Sequence, residues 1–220
     1  MDETSYAIMK IHILDYGTGN LTSVRLAFER VGAEVVTISD AEEALDAERI
    51  VFPGVGSAGS GMRGLQQRGF DKLLRKHFAA NKPMLAVCLG MQMLFDKSDE
   101  DNGVAGLGLL PGRVELFDFS KSEKKVKIPH MGWNTVSFTQ PHPVLEGIAS
   151  EEAFYFVHSY FANPVTADIT FGKTQYADFT FTSMVARGSL FATQFHPERS
   201  GEAGLKMLKN FLSWEVSPCC

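Results

Sequence analysis

Four short apolar runs occupy the first half of the chain: Ile11-His12-Ile13-Leu14, Glu34-Val35-Val36-Thr37-Ile38, Arg49-Ile50-Val51-Phe52 and Pro83-Met84-Leu85-Ala86-Val87. Between them lie segments whose apolar residues recur at helical spacing. Leu21, Val24, Phe28 and Val31 make one such face, with Asn20 suited to the N-cap and Gly32 to the stop. Asp40 to Ala47 reads as a short helical piece, and Leu65 to Phe78 as a longer amphipathic helix. Strands separated by helices need crossover connections, so the expected frame is a parallel sheet covered on both faces. Ligands on such a sheet sit beyond the carboxyl ends of the strands, where Gly17, Gly54 and Cys88 fall.

The second half has a different texture. From Lys125 to Gln194 it is rich in Phe, Tyr, Val and Thr with turn residues between, which predicts hairpins and antiparallel strands added to that sheet. Leu205 to Trp214 reads as a closing helix. The fold class is therefore α/β: a mixed, mostly parallel sheet with antiparallel additions. No linker-like stretch divides it, and 220 residues suit one domain over 10–214, with a frayed extension at 1–9 and a tail at 215–220.

Charge and cysteine usage remove several function classes. A net charge of -5 argues against a general nucleic-acid binder, and the one basic cluster (Lys121, Lys124, Lys125 and Lys127) reads as a solvated loop. Cysteines at 88, 219 and 220 cannot frame a disulfide scaffold, which points to a reducing cytoplasm. The longest mostly apolar stretch, Pro83 to Phe95, is too short to span a bilayer. Gly17-Thr18-Gly19 lacks the third glycine of a dinucleotide fingerprint, since Thr22 stands there. His196-Pro197-Glu198 has the His-x-Glu spacing of zinc deaminases but no thiolate pair follows it, and the other histidines show no ligand spacing. Neither a metal nor a cofactor is expected.

Cysteine chemistry remains. Cys88 stands where a buried-type strand turns into a helix near Gly90, the setting of a nucleophile elbow, with Ala86 at its first small position. The helix N-terminus behind it is expected to favour a thiolate. A thiolate nucleophile needs a proton carrier, and His196 follows the apolar run Leu190 to Phe195 at another strand end. In extended chain His196 and Glu198 point to one side, so the carboxylate can orient the imidazole. Pro53-Gly54-Val55-Gly56 follows the third strand on the same edge. Its glycines let peptide N–H groups approach a substrate, and the Leu89 N–H supplies a second donor for an oxyanion. Cysteine-based amide cleavage is the chemistry that fits.

The stretches Tyr16-Gly17-Thr18-Gly19-Asn20, Pro53-Gly54-Val55-Gly56, Cys88-Leu89-Gly90-Met91-Gln92, Pro129-His130-Met131-Gly132-Trp133-Asn134, Tyr155-Phe156-Val157-His158-Ser159-Tyr160 and Gln194-Phe195-His196-Pro197-Glu198 together resemble a known family. It is the class I glutamine amidotransferases, and within them the glutaminase subunits of imidazole glycerol phosphate synthase. The resemblance runs from about Lys10 to Leu212 and implies a flavodoxin-like fold, a thioester at Cys88 and an oxyanion hole from Val55, Gly56 and Leu89. It further implies glutamine contacts from Gly54, Gln92, Glu100, Ser159 and Tyr160. A partner (β/α)8-barrel cyclase would receive the ammonia and meet Asn20, Trp133, Tyr155 and Arg199. The products would be imidazole glycerol phosphate and an aminoimidazole carboxamide ribotide. Arg199 stands where the family usually has lysine, which keeps the charge and changes the donor geometry. Val55 is β-branched at the turn, so a peptide flip there costs more than at glycine and the isolated chain is expected to hydrolyse glutamine slowly. Another ammonia-channelling synthase, a free-standing γ-glutamyl hydrolase and a non-catalytic binding module on the same fold are the competing readings.

Overall fold

The computed structural model describes residues 9–17, 21–44, 46–120, 122 and 125–216. Asn20, Cys219, Cys220 and the first eight residues of the expected extension lie outside them, as do Lys121 and Lys124. In chain order the strands are β1 (Lys10–Leu14), β2 (Glu34–Ile38), β3 (Ile50–Gly54), β4 (Met84–Cys88), β5 (Phe95–Ser98), β6 (Val104–Ala105) and β7 (Leu110–Leu116). They continue with β8 (His130–Phe138), β9 (Glu152–His158), β10 (Tyr160–Pro164), β11 (Thr170–Tyr176), β12 (Phe179–Arg187) and β13 (Leu190–Thr193). The helices are α1 (Leu21–Arg30), α2 (Ala58–Gln67), α3 (Phe70–Ala79), α4 (Leu89–Met93) and α5 (Gly201–Ser213).

Five strands, β2-β1-β3-β4-β13, lie parallel and adjacent, the strand order of a flavodoxin-like sheet. Beyond β13 the sheet continues through β12, β10 and β7 in antiparallel pairing, as the aromatic second half predicts. The β8–β9 pair attaches through β11. The period-two alternation of strand side chains splits β4 between two cores. Met84 and Ala86 face α2, α3 and α4 with Met62, Leu65, Phe70 and Leu74. Leu85 and Val87 face α1 and α5 with Phe28, Met207 and Phe211. Both faces are dry, so β4 is apolar throughout its length and Cys88 emerges at its carboxyl end.

Two local readings change. Leu65 to Phe78 is not one helix: α2 ends at Gln67 and α3 starts at Phe70, because Gly69 adopts a left-handed conformation at φ 71° and breaks the ladder. The helix after Cys88 is a single short turn, Leu89–Met93, which carries too few aligned peptides for a substantial macrodipole. Any stabilisation of a thiolate must therefore come from side chains and nearby N–H groups.

Candidate active site

Cys88 has φ 55° and ψ -111°, a positive φ that a residue with a Cβ rarely adopts. The strain is held by packing around it. Gly90 lies so close to the Phe52 carbonyl that a Cβ there would collide with β3, and a Cβ on Gly54 would meet the Tyr16 hydroxyl. The Tyr16 hydroxyl also donates a 2.6 Å hydrogen bond to the Pro53 carbonyl, which pins the root of the Pro53–Gly56 turn beside the elbow. Gly56 closes that turn at φ 100°.

His196 reaches the site from the end of β13. It meets Glu198 through a tight turn and not, as expected, through extended chain. Arg199 N–H donates to the His196 carbonyl at 3.0 Å and Ser200 N–H to the Pro197 carbonyl at 3.0 Å, which folds Pro197–Arg199 into one 3-10 turn. The pairing survives this change, with His196 Nδ1 2.8 Å from Glu198 Oε1. Both side chains are almost wholly buried. The Ser200 hydroxyl donates to the His196 carbonyl at 2.6 Å and fixes the backbone beneath the ring. His196 Nε2 is buried without a well-directed hydrogen bond, yet Cys88 is close enough to act on the ring as a counter-charge. Burial alone would lower the pKa of this imidazole. A negative charge on Cys88, reinforced by Glu198, outweighs burial and raises it to about 10. The ring is thus set to carry a proton beside Cys88.

A cavity of about 300 Å³ opens over Cys88, lined by Val55, Gly56, Leu89, Gln92, Glu100, Pro129, Val157, His158, Ser159 and Tyr160. Its size lies at the small end of ligand cavities, which suits an amino-acid-sized substrate. All the expected substrate residues except Gly54 are brought together here. Gly54 instead lines a narrow space of about 40 Å³ on the far side of the turn, with His196, Glu198 and Arg199. Glu100 reaches the cavity by capping α2: it accepts from Ala58 N–H at 2.7 Å while Asp101 accepts from Gly59 N–H at 2.9 Å. Burial raises the Glu100 pKa, with the Ala58 N–H opposing the shift. The Ser159 and Tyr160 carbonyls are already taken within the fold, by Phe117 N–H and by Gln92 and His158 respectively.

Trp133, Tyr155 and Arg199 form one surface patch. The Trp133 and Tyr155 rings pack edge to face at 6.3 Å, and the Arg199 guanidinium lies 4.7 Å from the Tyr155 ring centre. Trp133 and its neighbour Met131 are about 60% exposed, at 60% and 62%. A roomier surface groove of about 790 Å³, along Phe138 to Glu146, contains none of Cys88, His196 and Glu198. Among the described residues no cluster of His, Cys, Asp and Glu could hold a metal ion.

Gln194, to which the sequence alone assigns no role, lies against Cys88. Its Nε2 lies 3.7 Å from Cys88 Sγ and its Oε1 accepts from Gln92 at 3.0 Å. In the sequence it is marked only by its place two residues before His196 in a run that otherwise reads as apolar core.

The family model for class I glutamine amidotransferases matches residues 12–214. The chain belongs to the class I glutamine amidotransferases. Its relatives narrow the branch. Imidazole glycerol phosphate synthase subunit HisH of Aromatoleum aromaticum is 49% identical over 210 residues, covering 93% of this chain and 98% of that protein. The subunit of the same name from Nitrosospira multiformis is 47% identical over 211 residues, covering 93% and 98%. Among solved structures, PurLQS from Thermotoga maritima superposes with a TM-score of 0.74 at 18% identity, over 94% of this chain and 99% of that one. At that identity the likeness concerns the fold, and it agrees with the flavodoxin-like strand order. The resemblance read from six motifs thus extends over nearly the whole amidotransferase chain.

Proposed function

We propose that this chain is the glutaminase subunit of an imidazole glycerol phosphate synthase, with Cys88, His196 and Glu198 as its triad. The observation that carries the triad is the buried His196–Glu198 pair, whose free Nε2 faces a strained cysteine at the floor of an amino-acid-sized cavity. The branch rests on relatives that bear that subunit's name at 43–49% identity over almost their full length.

The Cys88 thiolate attacks the side-chain amide carbon of glutamine, and the negative charge moves to the amide oxygen. Peptide N–H groups of Val55 or Gly56 and of Leu89 receive that oxyanion. The C–N bond breaks as the His196 imidazolium gives its proton to the leaving nitrogen, which departs as ammonia. Water then attacks the thioester, its proton passes to His196, and glutamate leaves with the thiolate restored. Glu198 keeps the imidazole turned and balances its charge in both halves. Gln92, Glu100, Ser159 and Tyr160 hold the amino-acid end of the substrate. The ammonia passes to a (β/α)8-barrel cyclase seated on the face of Trp133, Tyr155 and Arg199; Asn20, outside the described residues, is the further contact that the resemblance implies. That partner makes imidazole glycerol phosphate and aminoimidazole carboxamide ribotide in histidine biosynthesis. Among the described residues no helix is long and apolar enough to cross a membrane, and the reading places the complex in the cytoplasm.

Turnover by the chain mixed with its cyclase, fed either glutamine or an ammonium salt, tests this directly. Cys88→Ala is expected to abolish glutamine-driven turnover and spare ammonia-driven turnover. Equal loss of both, or loss of neither, removes Cys88 from the role given to it. A free-standing γ-glutamyl hydrolase would instead turn over its substrate at full rate without the cyclase.

A further inference from the structure

His158 and His130 are both buried, and neither has a place in the triad. Together they form the middle of a hydrogen-bond chain whose direction is fixed at its inner end. The Tyr160 carbonyl can only accept, and it lies 2.7 Å from His158 Nδ1, so that nitrogen carries the proton. His158 Nε2 must then accept from His130 Nδ1 at 3.0 Å. His130 Nε2 in turn accepts from the Asn134 amide at 3.2 Å. Asn134 has no freedom to turn over, because the same nitrogen donates to the Gln175 carbonyl at 2.9 Å and its oxygen accepts from Thr135 N–H at 2.9 Å. Burial keeps both rings neutral, with pKa values lowered to about 4 for His130 and about 3 for His158. The Phe156 and Tyr176 rings pack on His130 at 4.8 and 4.1 Å and hold its plane.

The chain continues on the other side of the Tyr160 carbonyl. Gln92 donates to that oxygen at 2.9 Å and to Gln194 Oε1 at 3.0 Å, and Gln194 donates to Cys88 Sγ at 3.7 Å. With Oε1 held by Gln92, Gln194 can only turn its N–H toward the sulfur. An N–H aimed at the sulfur stabilises the charge that makes it a nucleophile.

We propose that His158 is a positioning residue for amide cleavage: through the Tyr160 carbonyl and Gln92 it holds the Gln194 N–H against the Cys88 sulfur, while His130 and Asn134 fix its ring and its proton. The inference deepens the glutaminase reading and rests on it. It also links the nucleophile to the β8–β9 pair that carries Trp133, since Asn134 is the next residue and His130 and His158 are paired across those strands.

Three substitutions separate this role from simple space filling. Asn at position 158 can place its amide where Nδ1 donates, Gln reaches only toward Nε2, and Phe keeps the ring volume with neither bond. In the complex with the cyclase, His158→Phe and His158→Gln are expected to lower the glutamine-driven kcat roughly three- to tenfold, the worth of one buried hydrogen bond. KM should change less than kcat, and ammonia-driven turnover should persist as the check on folding and assembly. His158→Asn is expected to recover at least half of the loss. The rate of Cys88 alkylation by iodoacetamide, measured on the chain alone, should follow the same order. Equal loss in the Asn and Gln variants, or an alkylation rate indifferent to His158→Gln, overturns the proposal. So does a ¹⁵N NMR spectrum showing His158 protonated at Nε2 and bare at Nδ1. If wild type gave no glutamine-driven turnover, the glutaminase reading would fall, and alkylation and tautomer would still decide this one.

Discussion

The two walls of the site are built in different ways. One is backbone: the Pro53–Gly56 turn and the Cys88–Gly90 elbow at adjacent ends of β3 and β4, held by close approach and a strained φ. The other is side chain: Gln92 and Gln194, held to each other, to Tyr160 and to Cys88 by hydrogen bonds between distant parts of the chain, together with His158 and the local His196–Glu198 pair. A backbone wall tolerates no added atom, because a new Cβ has nowhere to go. A side-chain wall loses one interaction at a time. The two should therefore fail differently when altered.

The sharpest break is Gly90→Ala. Its new Cβ would fall on the Phe52 carbonyl, so β3 and the elbow must move apart. Overpacking of this kind costs about 1–3 kcal/mol in stability. Displacing a nucleophile by even ~1 Å costs on the order of a hundredfold in rate, so glutamine turnover should drop by about that or more. Denaturant unfolding and steady-state kinetics in the complex check both. Near-normal turnover in Gly90→Ala would mean the elbow is not held by this contact.

Glu198→Gln probes the other wall with an almost isosteric change. A charge-assisted hydrogen bond is worth about 1.5–3 kcal/mol, so glutamine turnover should fall roughly ten- to a hundredfold. The pH profile carries the sign. The protonated His196 form is fully present below its raised pKa of about 10 and is lost as pH rises through it. Removing the carboxylate charge lowers that pKa, so the alkaline limb of the profile should move to lower pH. An unmoved limb would show that Glu198 does not hold the imidazolium.

The same contrast accounts for what the sequence discloses. The backbone wall leaves local marks: a buried-type run ending at Cys88, glycines at 54, 56 and 90, and strands short enough to read by period. The parallel half of the fold follows from those marks, although Gly69 splits a helix that apolar spacing alone runs together. His196 and Glu198 are legible because a single residue separates them, even though the turn between them is not the expected extended one. The Gln92–Gln194 bond spans 102 residues, the Gln194–Cys88 contact 106 and the Gln92–Tyr160 bond 68. No period or motif spacing encodes such pairs, because they exist only once β13 lies beside β4 and β10 joins the antiparallel half.

Tyr16 is the exception within the backbone wall, and Tyr16→Phe is the smallest and most discriminating test of the contrast. Its hydroxyl reaches the Pro53 carbonyl at 2.6 Å and fills the space against Gly54. Phenylalanine keeps the ring, including its tilted contact with Phe52 at 5.6 Å, and removes the donor. A buried neutral hydrogen bond contributes about 0.5–1.5 kcal/mol net, so stability should fall by about that amount. With the Pro53 carbonyl released, the turn carrying the Val55 and Gly56 N–H groups is less fixed, and glutamine turnover in the complex should fall roughly two- to fivefold. The loss should appear in kcat, because the oxyanion forms only after substrate is bound. If both quantities stay at their wild-type values, the turn is held by its own backbone and the two walls differ completely. If kcat falls as far as in Glu198→Gln, the backbone wall depends on one side chain as heavily as its neighbour does, and the distinction between them fails at Tyr16.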